Sequence, residues 1–342
     1  MINCHIHTFT VDHVPVDFLP LRLGEVFKIP YVRTPARWLL GALNPFNNRD
    51  RFNRYANFIQ VANGKSQEEV FRFVQGRYPD QTRFIVLPMD MAYMGAGKVP
   101  KDITKQHEQL AEMRDKLGDV VIPFAAVDPR RPGVLAMLQH FVENRRFRGI
   151  KVYPNLGYRP DDPVLMNEIW PYAVKMNLPV MTHCSRGGPR AKGIRKEDLD
   201  RYTAPSCWVP VLKKFPDLRV CLAHLGGDDE WKRYFADTWQ PTLGTQRKSW
   251  LADILDLIRS GQYPNLYADI SYTVFRFEDY GPALKVFIAD PTIRERILFG
   301  SDYYMTENER FEERMLSMKL RALLGEEHFW QIASINPERY LG

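Results

Sequence analysis

The sequence predicts an α/β protein built as a closed (β/α)8 TIM barrel, and three observations carry that prediction. Eight short apolar, β-branched runs recur along the 342 residues. The segments between them return apolar residues at three- and four-residue intervals, the period of a helix packed on one face. No glycine-rich phosphate loop follows an early strand, as an open doubly wound sheet would normally show. Strands alternating with helices give a parallel sheet covered by helices, and eight such strands are enough to close it.

The runs, in order, are INCHIHTF (2–9), RFIVLPMDM (83–91), VVIPFAAVDP (120–129), GIKVYPNL (149–156), LPVMTHCS (178–185), LRVCLAHLGG (218–227), NLYADIS (265–271) and ILFGSDYY (297–304). Between them lie KQHEQLAEMRDKLGD, VLAMLQHFVENRR, LMNEIWPYAVKMN, WVPVLKKFPD, LADILDLIRSG and ALKVFIADPTIRER, all with helical spacing. GAGK at 95–98 lacks the first glycine and the following Ser/Thr of a Walker loop and reads as a turn. The whole chain, 1–342, is expected to be one barrel domain. Two connections are longer than a barrel needs: residues 10–82 after the first strand and 228–264 after the sixth. Both leave the C-terminal ends of strands, the active face of such barrels, so each is expected to form a lid or pocket wall.

Bulk properties remove several classes of function. The mean hydropathy of −0.36 and the lack of any apolar run near 18 residues argue against a membrane span, and the N-terminus has no signal-peptide pattern, so a cytoplasmic location is expected. The four cysteines (Cys4, Cys184, Cys207, Cys221) are far apart and form no C-x-x-C pair; reduced, packed thiols are expected. The net charge of +6 raises nucleic acid as a partner, but the basic residues are scattered among acidic ones. A mildly basic pocket for a small anion is the better expectation. The alternative for the two long connections is a packing subdomain or the interface of a homo-oligomer.

At the first strand, His5 and His7 sit two positions apart, so in a regular strand they share one face while Cys4, Ile6 and Thr8 share the other. Lys151, His183, His224 and Asp302 lie near the C-terminal ends of strands 4, 5, 6 and 8. Singly, each has a structural explanation: a satisfied buried histidine, a snorkelling lysine, a loop cap. Together they place six chemistry-bearing groups at matching positions on five of eight strands and use half of the chain's eight histidines. Neutral imidazoles and a carboxylate are a usual ligand set for a borderline cation such as zinc, beside which a water ionises near neutral pH. His5, His7, His183 and Asp302 are therefore expected to hold one divalent metal. His224 is left as acid/base or oxyanion stabiliser, and Asp302 doubles as proton acceptor.

This array resembles the amidohydrolase superfamily, across the whole chain. LAHLGG, ILFGSDYY and the closing IASINPERYLG are similar to the amidohydrolase-related branch, which contains hydrolases, lactonases, a hydratase and non-oxidative decarboxylases of the aminocarboxymuconate-semialdehyde type. The resemblance implies the same ligands, His5, His7, His183 and Asp302, with His224 catalytic. GIKVYPN is also similar to the strand-4 segment of dihydroorotase-like members, which implies an alternative: a carboxylated Lys151 bridging two ions, the second held by His183 and His224. One ion is favoured, zinc ahead of manganese, iron or nickel.

Substrate clues are fewer. Arg186, with Tyr153 and Tyr303 on neighbouring loops, is expected to bind a small acidic substrate, a carboxylate pairing with the guanidinium. Arg33, Arg37, Trp38, Arg51 and Arg54 in the first insertion point the same way. The leading expectation is a metal-dependent hydrolase acting on an amide, ester or lactone of a small carboxylate-bearing molecule. The alternative is a metal-dependent decarboxylase of an aromatic or muconate-like acid. A third reading, a non-enzymatic basic scaffold for nucleic acid or protein, predicts that chelators change nothing.

Overall fold

The computed structural model describes residues 1–18, 65–239, 249–273, 276–303 and 312–342, with the side chains of 237–239 set aside. Its strands are β1 (Ile2–Ile6), β2 (Arg83–Val86), β3 (Val121–Pro123), β4 (Ala125–Ala126), β5 (Ile150–Val152), β6 (Val180–Thr182), β7 (Val220–Leu222), β8 (Leu266–Asp269) and β9 (Ile297–Leu298). All paired neighbours are parallel, in the orders β1-β2-β3 and β4-β5-β6-β7-β8-β9. β3 and β4 are one predicted strand broken at Phe124. On one side the Phe124 N–H donates to the Val86 carbonyl (3.1 Å), and on the other the Ala125 N–H donates to that of Gly149 (2.8 Å), so this stave links the two sheets. Pro123, with no N–H to give to a ladder, stands at the break.

The ring closes between the first and last staves. The Cys4 N–H donates to the Phe299 carbonyl (2.9 Å), the Asp302 N–H to that of His5 (2.8 Å) and the His7 N–H to that of Tyr303 (2.6 Å). The nine segments thus form eight staves, and the fold is the predicted (β/α)8 barrel. The helices lie where the periodicity places them, for example Ile103–Leu117, Val134–Arg145, Trp250–Arg259 and Phe277–Ala289. In Trp250–Arg259 the Ser249 hydroxyl accepts from the Ala252 N–H, and Trp250, Leu251, Ile254, Leu255 and Ile258 are buried. Such a cap is worth about 1 kcal/mol. LMNEIWPYAVKMN departs from a plain helix: a wide π turn over Leu165–Ile169 precedes Trp170–Lys175.

Alternation along the staves separates two cores. Phe84, Val86, Ile150, Val152, Val180, Val220, Leu222, Leu266 and Ile297 face the helices. Ile2, Cys4, Ile85, Leu87, Ile122, Phe124, Met181, Cys221, Tyr267 and Leu298 fill the barrel interior, joined by Tyr340 and Leu341 of the C-terminal helix. Gly149 is required here, because a Cβ on it would stand 2.4 Å from the Phe124 ring. This apolar floor lies beneath the polar mouth. The four cysteines are free, as expected. No helix of the described residues is long and apolar enough to cross a membrane. Arg33, Arg37, Trp38, Arg51 and Arg54 lie outside the described residues, as do 19–64 of the first predicted lid and 240–248 of the second.

A candidate metal centre at the barrel mouth

His5 reaches the mouth by a break in the strand's alternation. Asn3 pairs with Phe84 but Ile6 with Val86, so β1 carries one residue more than β2 between those points, a β-bulge. The bulge corrects the simple parity reading: Cys4 joins the interior floor although His5, the next residue, also turns inward with His7. Asn3 pins the irregularity. Its Oδ1 accepts from the His5 N–H (3.2 Å) and the Ser301 N–H (3.1 Å), and its Nδ2 donates to Ser301 Oγ (2.9 Å) and Tyr78 Oη (3.1 Å). Gly300 must lack a side chain, since a Cβ there would meet the His5 Cβ at 2.9 Å.

Three of the predicted ligands converge. The Asp302 Oδ1 lies 3.1 Å from His7 Nε2 and 3.6 Å from His5 Nε2. A cation held tetrahedrally at zinc–ligand lengths separates its donors by about 3.4 Å, so these spacings suit one. His5 Nε2 and Asp302 Oδ1 are buried with no hydrogen-bond partner, as unspent donor atoms of a cation site are. His7 is oriented from behind, its Nδ1–H donating to the Leu87 carbonyl at 2.7 Å, which leaves Nε2 as the lone pair. Asp302 takes φ 64°, the left-handed region, a strain of about 1–3 kcal/mol that non-glycine residues usually carry for a functional reason.

His183 borders this triad without completing it. Its Nε2 donates to the carbonyls of Ser185 and Gly187, both at 3.1 Å, and its ring stacks on Tyr153 with centroids 4.1 Å apart. To serve a cation it would offer Nδ1 or release those two bonds. Among the described residues, His5, His7 and Asp302 form one potential ligand group and His5, His224 and Asp269 a second. His224, at φ 68°, donates from Nδ1 to Ser271 Oγ (2.8 Å), and its ring centroid is 4.8 Å from that of His5. Lys151 is buried, its Nζ without a hydrogen-bond partner and 5.9 Å from the Tyr153 ring centre.

Burial governs the electrostatics. It pushes the His5 and His224 imidazoles well below their ordinary range, with Lys151 adding repulsion at His5 and His5 adding it at His224. Burial, with Lys151 assisting, takes His183 down to about 3. Lys151 falls to about 8, again through burial, with Asp269 and Asp302 opposing. The Asp302 carboxyl is raised by burial against the pull of His7. Neutral imidazoles are the form a cation binds.

The remaining predicted residues sit elsewhere. Arg186 is taken up within the protein: it ion-pairs with Glu230 (2.5 Å) and Asp200 (2.9 Å) and lies 4.3 Å over the Trp250 ring. Tyr303 is fully buried, its backbone joined to β1 and its ring 6.2 Å from that of Phe73. Tyr153 is the substrate candidate that does adjoin the site, through His183. Sequence reasoning missed Asp269 and Ser271. The Asp269 Oδ2 accepts from His5 Nδ1 at 2.8 Å, and both residues are wholly buried. An aspartate closing the otherwise apolar run NLYADIS was the available signal.

Fold and site together define a (β/α)8 barrel enzyme whose histidines and aspartate gather at the C-terminal ends of the staves. The chain belongs to the amidohydrolase family, whose model matches residues 2–342. Solved structures similar along their whole length include a 5-carboxyvanillate decarboxylase from Novosphingobium aromaticivorans with bound manganese (TM-score 0.62, 15% identity, 99% of this chain and 96% of that one). A Rhizobium 2,6-dihydroxybenzoate decarboxylase gives 0.58 at 16% identity (99% and 98%). A 4-oxalomesaconate hydratase from Rhodopseudomonas palustris gives 0.54 at 16% (100% and 95%). No curated protein matches the chain by sequence.

Proposed function

We propose that the protein is a metal-dependent, non-oxidative decarboxylase of a small acid, aromatic or muconate-like. The observation that carries this reading is the company of Lys151: a buried, unpartnered ammonium in the same mouth as the unspent donor atoms of His5 and Asp302. A buried charge demands a counter-charge, and a substrate carboxylate brought to the reacting centre supplies it. The full-length likeness to decarboxylases supports the choice over amide or lactone hydrolysis.

His5, His7 and Asp302 would hold one divalent ion, zinc or manganese, with His183 joining if it leaves the Ser185 and Gly187 carbonyls. Such an ion supplies Lewis-acid charge that binds and orients an acidic substrate. Lys151 neutralises carboxylate charge as the substrate enters. Tyr153, stacked on His183, walls the mouth on that side. His224, anchored at Nδ1 by Ser271, presents a bare Nε2 that takes up a solvent proton once the substrate's negative charge lies beside it and passes that proton to the carbon that loses the carboxylate. The bond to the carboxyl carbon then breaks, its electron pair restores the substrate's unsaturation, and carbon dioxide leaves.

The test assays metal-loaded protein on phenolic and muconate-like acids for carbon dioxide release, and on lactones, esters and amides by pH-stat. Carbon dioxide formed without net consumption of water is the expected result. Turnover confined to the lactone, ester or amide panel, with every carbon retained, overturns decarboxylation in favour of hydrolysis.

A further inference from the structure

We propose that Asp269 and Ser271 are positioning residues: one buried carboxylate and one hydroxyl set the tautomers of both His5 and His224, so that each ring turns an unprotonated Nε2 away from them and toward the mouth. The inference rests on reading His5 as a cation ligand and His224 as the proton relay, and adds what fixes them.

The hydrogen count leaves little choice. The Asp269 Oδ1 accepts from the backbone N–H of His224 (2.8 Å), the backbone N–H of Ser271 (3.0 Å) and the Ser271 hydroxyl (2.5 Å). A hydroxyl has one proton, and this one is committed to Asp269. Ser271 Oγ can therefore only accept from His224 Nδ1 at 2.8 Å, which places the ring proton on Nδ1 and leaves Nε2 bare. On the other oxygen, Asp269 Oδ2 accepts at 2.8 Å from His5 Nδ1, and the same result follows: Nε2 is bare and lies 3.6 Å from Asp302 Oδ1. The proton positions follow from the network around Asp269, where every other assignment with that carboxylate ionised sets two acceptors face to face.

The device also holds the backbone. His224 stands at φ 68°, and its N–H is fixed by Asp269 while its carbonyl accepts from the Thr273 hydroxyl (2.8 Å). Residues 269, 271 and 273, at and just beyond the end of one stave, thus secure a histidine on the stave before it and a ligand on the first stave.

Histidine-selective 15N labelling of the full chain, apo and zinc-loaded, tests this by long-range 1H–15N correlation, which separates Nδ1–H from Nε2–H rings. His5 and His224 are assigned by single His→Gln variants. Both are expected as Nδ1–H in the wild type. In Ser271→Ala the Ser271 backbone carbonyl, 3.3 Å from His224 Nδ1, remains as a weaker acceptor, so a mixture of Nδ1–H and Nε2–H is expected for His224 while His5 and zinc affinity stay unchanged. In Asp269→Asn the amide cannot accept on both sides, and zinc affinity, measured against a chromogenic chelator, is expected to fall about 10–100-fold. An Nε2–H tautomer for either ring in the wild type overturns the proposal. So does a folded Asp269→Asn chain with wild-type zinc affinity. If Asp269→Asn fails to fold, the wild-type and Ser271→Ala spectra decide alone. The spectra use no turnover, so a wrong reaction class leaves this outcome intact, and a chain that binds no zinc is judged on its apo spectra.

Discussion

Two charge-rich clusters stand on the same rim of the barrel and are built to opposite rules. Beyond β2 and β4, Arg131 forks onto Asp90 (2.7 and 2.9 Å) and Asp102 (2.7 and 2.9 Å). Arg130 binds Asp128 and the carbonyls of Tyr93 (3.1 Å) and Leu156 (2.9 Å). Charge is matched by charge there. Across the mouth, Lys151 Nζ, His5 Nε2 and Asp302 Oδ1 are buried without hydrogen-bond partners. A satisfied cluster holds loops in place; an unsatisfied one is completed by something that binds.

Breaking the unsatisfied cluster has the largest expected effect. Asp302→Asn should lower turnover about a thousandfold, the several kcal/mol a bound cation contributes, and reduce metal content with little change in melting temperature. Elemental analysis beside a thermal melt checks both halves. Arg131→Ala should do the reverse: about 3 kcal/mol of stability lost, because buried Asp90 is stranded, with metal content unchanged. Denaturant titration measures the first and elemental analysis the second. Third, Lys151→Met should stabilise the fold by about 2 kcal/mol while reducing turnover, since it replaces an unpaired buried cation with apolar volume. A Lys151→Met protein that is destabilised would mean the ammonium is paired as tightly as Arg131.

The smallest effect concerns His107, near the satisfied cluster and wholly buried. Its Nε2 accepts from the Ala126 N–H (3.0 Å), and burial, then Arg131, takes it down to about 3. The folded state thus releases a proton that the unfolded chain holds below its ordinary value near 6.5. Stability from this group is complete above pH 6.5 and is lost progressively as pH falls toward 3. At pH 5.5 the loss is about 1 kcal/mol. His107→Asn should flatten the urea-midpoint profile between pH 6.5 and 5 relative to the wild type.

Much of this was legible in the sequence because the barrel forces it. Period-two and period-3.6 patterns identify staves and helices, and parallel closure carries strand ends to one rim, which is why His5, His7, His224, Lys151 and Asp302 were found together. What escaped depends on contacts that no pattern encodes. The β1 bulge is set by Asn3 reaching Ser301, nearly the whole chain away. Arg186 looked free to grip a carboxylate because Glu230 and Asp200 meet it only in three dimensions. Asp269 was passed over because a single acidic residue at a strand end reads equally as a turn former. His183 lies beside the triad, but its hydrogen bonds to Ser185 and Gly187 depend on a loop path that composition does not reveal.

The seam between the first and last staves has a consequence for the order of events during synthesis. The imidazoles of His5 and His7 leave the ribosome nearly three hundred residues before Asp302, whose N–H is bonded to the His5 carbonyl. Contacts that span so much chain form late, after the intervening loop entropy has been overcome. Ion capture should accordingly mark completed closure, so that a fluorescent chelator losing its metal to a refolding chain would time the final step of folding itself.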